Sequence, residues 1–145
     1  MNAGTAFALS PCMTKPIPCV AQYMTPSPHT VGADQTLAHA HVLMHDYAIR
    51  HLPVLRGGKL VGMLSERDLA LIEQFDHIDP RATKVEEAMS LGVYQVSPET
   101  ALDVVVATMA TKKYGSAVVA QDQKVVGILT TVDVCSALAA VLKTP

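Results

Sequence analysis

The chain repeats itself. Met24 and Met89 stand 89 − 24 = 65 residues apart, and the same offset carries Val31 onto Val96, Leu37 onto Leu102, Met44 onto Met109 and Val54 onto Val119. It goes on to carry Lys59 onto Lys124, Val61 onto Val126, Gly62 onto Gly127, Leu64 onto Leu129 and Asp68 onto Asp133. Similar residues fill the intervals, as in Thr25/Ser90, Leu60/Val125 and Ser65/Thr130, and no gap is needed from Met24 to Ala70. Such a series, closing twice on Gly-x-x-[Ser/Thr]-x-x-Asp, means that whatever unit forms must form twice.

The same local signals run in the same order in both copies. A short extended piece (Thr30-Val31, or Gln95-Val96) precedes an apolar pattern of helical period, Leu37 to about Tyr47 and Ala101 to Lys113. Two β-rich runs joined by a turn come next: Leu52–Leu55 and Leu60–Leu64, then Ser116–Ala120 and Val125–Leu129. A helix closes each copy, starting near Ser65 and near Thr130. The order is β-α-β-β-α, twice, an α+β fold with α/β-like character. One repeat of about 60 residues is marginal alone, and strands as apolar as LVGML and VVGIL need cover on both faces. The expected solution packs the repeats sheet to sheet about a pseudo-twofold axis, leaving two related clefts. Residues 1–20, with Pro11, Pro16 and Pro18, read as a flexible tail. Residues 21–76 read as the first repeat, 77–84 as a linker carrying Asp79-Pro80, and 85–142 as the second repeat.

Composition narrows the function. Half of the 145 residues are hydrophobic while Trp is absent, so the interior must be aliphatic. A net charge of −2 gives no electrostatic footprint for nucleic acid or an anionic membrane. The start MNAGTAFALSPCM lacks the basic and long apolar regions of a signal peptide, and no apolar run reaches the roughly 18 residues of a membrane span. Cys12, Cys19 and Cys135 fit no zinc or disulfide spacing and read as reduced thiols of a cytoplasmic protein, with Cys135 expected in the core.

The chemistry-bearing segments are GMLSERD and GILTTVD. A strand ending at Gly62 with a helix beginning near Ser65 puts backbone N–H groups and a hydroxyl where an anion can sit. Asp68, one turn on, can accept both hydroxyls of a ribose, and Thr130 with Asp133 repeats the arrangement. Ser-x-x-Asp at such a junction is equally a helix capping box, needing no ligand. In Ile49-Arg50-His51-Leu52-Pro53, the arginine suits a bidentate phosphate contact and His51 adds charge when protonated; a solvated basic pair at a strand start is the alternative. The second copy has Tyr114-Gly115-Ser116 there, and Val132 in place of Arg67, so the two clefts are not equivalent. Lys112 and Lys113 are further phosphate candidates, or partners of a helix C-terminus. His41 and His45 are spaced for one helix face, as a metal would need, with His39 pointing elsewhere. Ser-x-x-Lys, Gly-x-Ser-x-Gly, His-Glu-x-x-His, Gly-x-Gly-x-x-Gly and P-loop patterns are all absent, which speaks against an enzyme.

Over residues 20–142 the sequence resembles the cystathionine-β-synthase (CBS) domain family, whose tandem pairs form the Bateman module. The resemblance rests on YMTPSPHTV, IRHLPVL and LVGMLSERDL in the first copy and AMSLGVYQV, YGSAVVA and VVGILTTVDV in the second. It implies a regulatory sensor of AMP, ADP, ATP, NAD or S-adenosylmethionine, in which the motif aspartate contacts the ribose. It also implies that the motif of one repeat faces the adenine-lining strand of the other. One cleft would then join Met63, Ser65, Arg67 and Asp68 to Pro98, Tyr114, Gly115 and Ala117. The other would join Ile128, Thr130 and Asp133 to Ala33, Ile49, Arg50 and Pro53, with His51 beside Arg50 near the ligand phosphates. A homodimer forming a disc of four repeats completes what the resemblance implies; with no effector domain in the sequence, the output is expected to pass to a partner protein in trans. A dimerising scaffold whose clefts have lost their ligand is the rival, and a metal-responsive protein using His41 and His45 a third reading.

Overall fold

The computed structural model describes residues 16–143, so Cys12 and most of the expected tail lie outside the described residues. The strands and helices run β1 (Thr25–Pro26), β2 (Val31–Gly32), α1 (Leu37–Asp46), β3 (His51–Arg56), β4 (Lys59–Ser65) and α2 (Glu66–Ile72). They continue β5 (Gln95–Val96), α3 (Leu102–Lys112), β6 (Ser116–Gln121), β7 (Lys124–Thr130) and α4 (Thr131–Lys143). The β-α-β-β-α order thus occurs twice.

Each repeat builds the same sheet. In the first, β2 runs parallel to β3, which pairs antiparallel with β4; in the second, β5, β6 and β7 repeat this. Even the irregularities match, with a register shift after Val54 in one hairpin and after Val119 in the other. Gly57 and Gly58 turn the first hairpin with φ of 60° and 79°, the positive values a tight two-residue turn demands. Asp122 and Gln123 adopt φ of 53° and 66° in the second, so the shared geometry is imposed there without glycine.

The two repeats are not separate bodies. β1, lying before the first repeat, pairs antiparallel with β7 of the second, at Thr25 opposite Ile128. The matching bridge joins Ser90 to Met63 on β4. Further upstream the exchange continues through the backbone: Val20 N–H donates to Thr100 O (2.8 Å) and Leu102 N–H to Pro18 O (2.8 Å). Moved by 65 residues, these become Val85 N–H to Gln35 O (2.7 Å) and Leu37 N–H to Thr83 O (2.9 Å). Val20 is fully buried in the core of the second repeat and Val85 in that of the first. Burying one such side chain is worth about 1.5–3 kcal/mol. The end of the expected tail is therefore docked: residues 18–20 are tied to the second repeat. The expected linker is likewise hydrogen-bonded, with Ala38 N–H on Pro80 O at 2.9 Å and Thr83 buried.

The crossing segments explain the two motif glycines. A Cβ on Gly62 would stand 2.5 Å from Met89 Sδ, and one on Gly127 would run into the Met24 thioether. Each glycine lets the methionine of the opposite lead-in lie flat on the strand. Between the sheets, Met63, Val118 and Ile128 form a third buried cluster, which joins the two repeats. Cys135, expected in the core, is exposed. The α4 helix turns Ala137 and, in part, Val134 inward, while Val132, Leu138, Val141 and Leu142 stay on the outside. No helix among the described residues is long and apolar enough to cross a membrane.

Candidate functional site

The strand-to-helix junction after β4 is a true cap. Ser65 Oγ accepts from Asp68 N–H at 3.1 Å, and Asp68 Oδ2 accepts from Ser65 N–H at 2.9 Å. At the second junction Asp133 Oδ2 accepts from Thr130 N–H at 2.8 Å, while Thr130 Oγ1 accepts from Asp133 N–H at 3.4 Å. In both repeats the other carboxylate oxygen reaches the crossing segment. Ser90 Oγ donates to Asp68 Oδ1 at 3.4 Å and Thr25 Oγ1 to Asp133 Oδ1 at 3.1 Å. Two of the first-turn amides are already bonded: Glu66 N–H donates to Arg50 O at 2.9 Å, and Asp68 N–H is held by Ser65. An anion here would therefore find fewer helix-end amides than the sequence leads one to expect, beside the side chains of the cleft. The carboxylates keep spare acceptor capacity, because an ionised carboxylate offers about four lone-pair sites.

Around Asp68 a cleft of about 550 Å³ opens between the repeats. The first repeat contributes Arg50, His51, Met63, Ser65, Glu66, Arg67 and Asp68; the second contributes residues 90–94 and 113–116. Tyr94 and Tyr114 approach with ring centroids 5.4 Å apart and planes tilted by 34°, giving the cleft an aromatic wall. Lys113, in the left-handed conformation that ends α3, lies beside them. Gly115 makes room for the His51 ring: a Cβ there would lie 3.1 Å from Nε2. Burial pushes the His51 pKa below its ordinary 6.5, Asp68 and Glu66 oppose this and Arg50 adds to it. Burial thus disfavours the protonated imidazole, the form in which His51 would add positive charge to the cleft.

Of the residues expected in this cleft, Met63, Ser65, Arg67, Asp68, Tyr114 and Gly115 are brought together. Arg50, expected opposite Asp133, lines it as well. Ala117 is fully buried in the second core, and Pro98 lends its carbonyl to Ala21 N–H, so neither lines the cleft. On the other side, Ala33 and Pro53 are buried, Ile49 packs against the first core and Ile128 lies between the sheets. Thr130 and Asp133 line neither this cleft nor a smaller pocket around Gly32 and Arg56. Sequence reasoning passed over Tyr94 and Ser90, although the offset that pairs Ser90 with Thr25 marks that segment. His41 Nε2 meets Glu73 Oε2 at 2.6 Å and His45 meets Asp46 at 3.4 Å, so the two histidines face different carboxylates. No three His, Cys, Asp or Glu side chains group as a metal site among the described residues.

The model of the CBS domain matches twice, at residues 20–73 and 85–140, one match on each repeat. The chain belongs to the CBS domain family. A curated relative, the CBS domain-containing protein YhcV of Bacillus subtilis, is 31% identical over 114 residues, spanning 79% of this chain and 81% of its own. AcuB of Vibrio cholerae superposes with a TM-score of 0.80 at 30% identity, covering 88% of this chain and 95% of that one. The CBS domain pair of protein MJ0100, solved with 5-methylthioadenosine and S-adenosyl-L-methionine, superposes with a TM-score of 0.78. It is 25% identical, over 86% of this chain and 98% of its own. The double β-α-β-β-α architecture is therefore that of a CBS pair.

Proposed function

We propose that this CBS pair is a regulatory module that binds an adenosine-containing ligand in the Asp68 cleft and is read by a partner protein. The supporting observation is the meeting of the Ser65–Asp68 cap with Tyr94 and Tyr114 across the repeat junction. Asp68 would accept the ribose hydroxyls while the tyrosine faces take the base. The cleft falls within the roughly 300–1,000 Å³ of small-molecule sites. The adenosyl ligands carried by the MJ0100 pair point the same way, and AMP, ADP, ATP, NAD and S-adenosylmethionine are the candidates. Among the described residues no serine or cysteine side chain is hydrogen-bonded to His51, which favours binding over catalysis by an activated nucleophile. Occupancy would act through unequal affinity for two arrangements of the repeats.

Calorimetric titration of these ligands into the apo protein tests the reading. Binding lost in Asp68→Ala and kept in Asp133→Ala is expected, with Asp68→Asn, which retains a capping acceptor, checked for folding by thermal melt. No heat from any ligand would leave both motifs as helix caps and sink the proposal. A homodimer belongs to the same reading. Leu71 on α2, Phe75 just beyond it, and Val132, Leu138 and Leu142 on α4 are exposed apolar surface that a second copy would cover. Light scattering should give the mass of two chains; the mass of one would count against it.

A further inference from the structure

The charges of the cleft narrow its ligand more than its shape does. Of the four arginines, Arg56 is paired with Glu86 and Arg81 with Asp79. The other two, Arg50 and Arg67, line the cleft together with Lys113. None of these three side chains has an ion pair or side-chain hydrogen bond among the described residues. They come from both repeats and face one volume, opposed by Glu66 and Asp68, of which Asp68 is engaged in the cap. Three unpaired cations in one concave site repel each other and concentrate anions. Shifting by 65 residues replaces Arg50 with Gly115, Arg67 with Val132 and Lys113 with Ala48, so none of the three has a basic counterpart at the offset.

We infer that the Asp68 cleft selects a phosphorylated adenosine over a sulfonium or an uncharged adenosine, with Arg67 and Lys113 as the specificity-determining residues. This rests on the proposed adenosine site and adds the chemical class of the group carried on the ribose. The guanidinium forks would each take two phosphate oxygens and Lys113 would act as a point charge. A sulfonium ligand would bring a fourth positive charge into the same volume and be disfavoured. One phosphorylated ligand per chain is the expected stoichiometry.

The experiment titrates AMP, adenosine, 5-methylthioadenosine and S-adenosylmethionine into the full chain, at low and at high salt, with Arg67→Gln, Lys113→Gln and the double variant alongside. AMP should bind at least about tenfold tighter than adenosine at low salt, since charge-assisted contacts are the strong ones. That ratio should shrink with salt and should fall furthest in the double variant, where Arg50 is the one cation of the three left. S-adenosylmethionine should bind more weakly than AMP. Adenosine binding that depends on Asp68 but gains nothing from a phosphate would overturn this inference and leave the adenosine site standing. Equal or tighter binding of S-adenosylmethionine would do the same. No binding by any of the four would overturn both.

Discussion

Asp68 holds a structural position and the proposed recognition position at once. One oxygen closes the cap of α2 and the other meets Ser90 on the segment arriving from between the repeats. That double engagement fixes the carboxylate before any ligand arrives, which lowers the ordering cost of binding. His51 is the other residue whose environment has a measurable consequence. Its pKa is lowered in the fold chiefly by burial, against the pull of Asp68 and Glu66. In the unfolded chain the imidazole protonates first as acid is added. The unfolded state then binds more protons, so stability is present above about pH 6.5 and is lost as the pH falls below it. Denaturant midpoints at about pH 7.5 and about pH 5.5 should therefore drop more for the wild type than for His51→Asn. Equal drops would mean that burial of the ring does not carry over into stability.

At the scale of elements, what could be read in the sequence was what side chains encode. The core positions of α1 and α3, the apolar strands and the cap motifs all recur at one offset, because each needs a particular side chain. The lead-in segments repeat where side chains act, as in Val20/Val85 and Met24/Met89, but their backbone exchange is silent in the sequence for the opposite reason. Pro18 and Thr83 do the same work through their carbonyls, as do the amides of Val20 and Val85, and a backbone hydrogen bond leaves little trace in residue identity. Under the offset that aligns the rest, Pro18/Thr83 and Cys19/Lys84 look unrelated. The second hairpin shows the same limit, since Asp122-Gln123 carries the positive φ values that Gly57-Gly58 announces. Cys135 is exposed against expectation because α4 is apolar on more of its circumference than one sheet can cover. The motif glycines recur for close packing against Met89 and Met24, a contact between distant segments that spacing alone does not reveal. The cleft was legible in its Ser65–Asp68 half and not in Tyr94, which enters it from the crossing segment.

The whole molecule is best understood as two incomplete halves. The first core is closed by Val85, which the chain reaches only after the first repeat has been made. The second is closed by Val20, which lies before it. The sheet of the second repeat takes its edge strand β1 from the N-terminal side, and β4 is bridged by Ser90. Neither half can bury its own apolar surface without the other, and units of this size are marginal even when complete. The cleft inherits this dependence, because its walls come from both repeats and from a crossing segment. Unfolding should accordingly be a single transition, with calorimetric and van't Hoff enthalpies in agreement. Cutting the chain between Asp76 and His77 supplies the sharper test. Each fragment alone should show little secondary structure by circular dichroism and collapsed amide dispersion by NMR, and mixing the two should restore the dispersed spectrum. A fragment that folds by itself would show that the exchanged segments decorate two self-sufficient repeats. The proposed coupling between cleft occupancy and repeat arrangement would then have to come from the inter-sheet contact of Met63, Val118 and Ile128 alone.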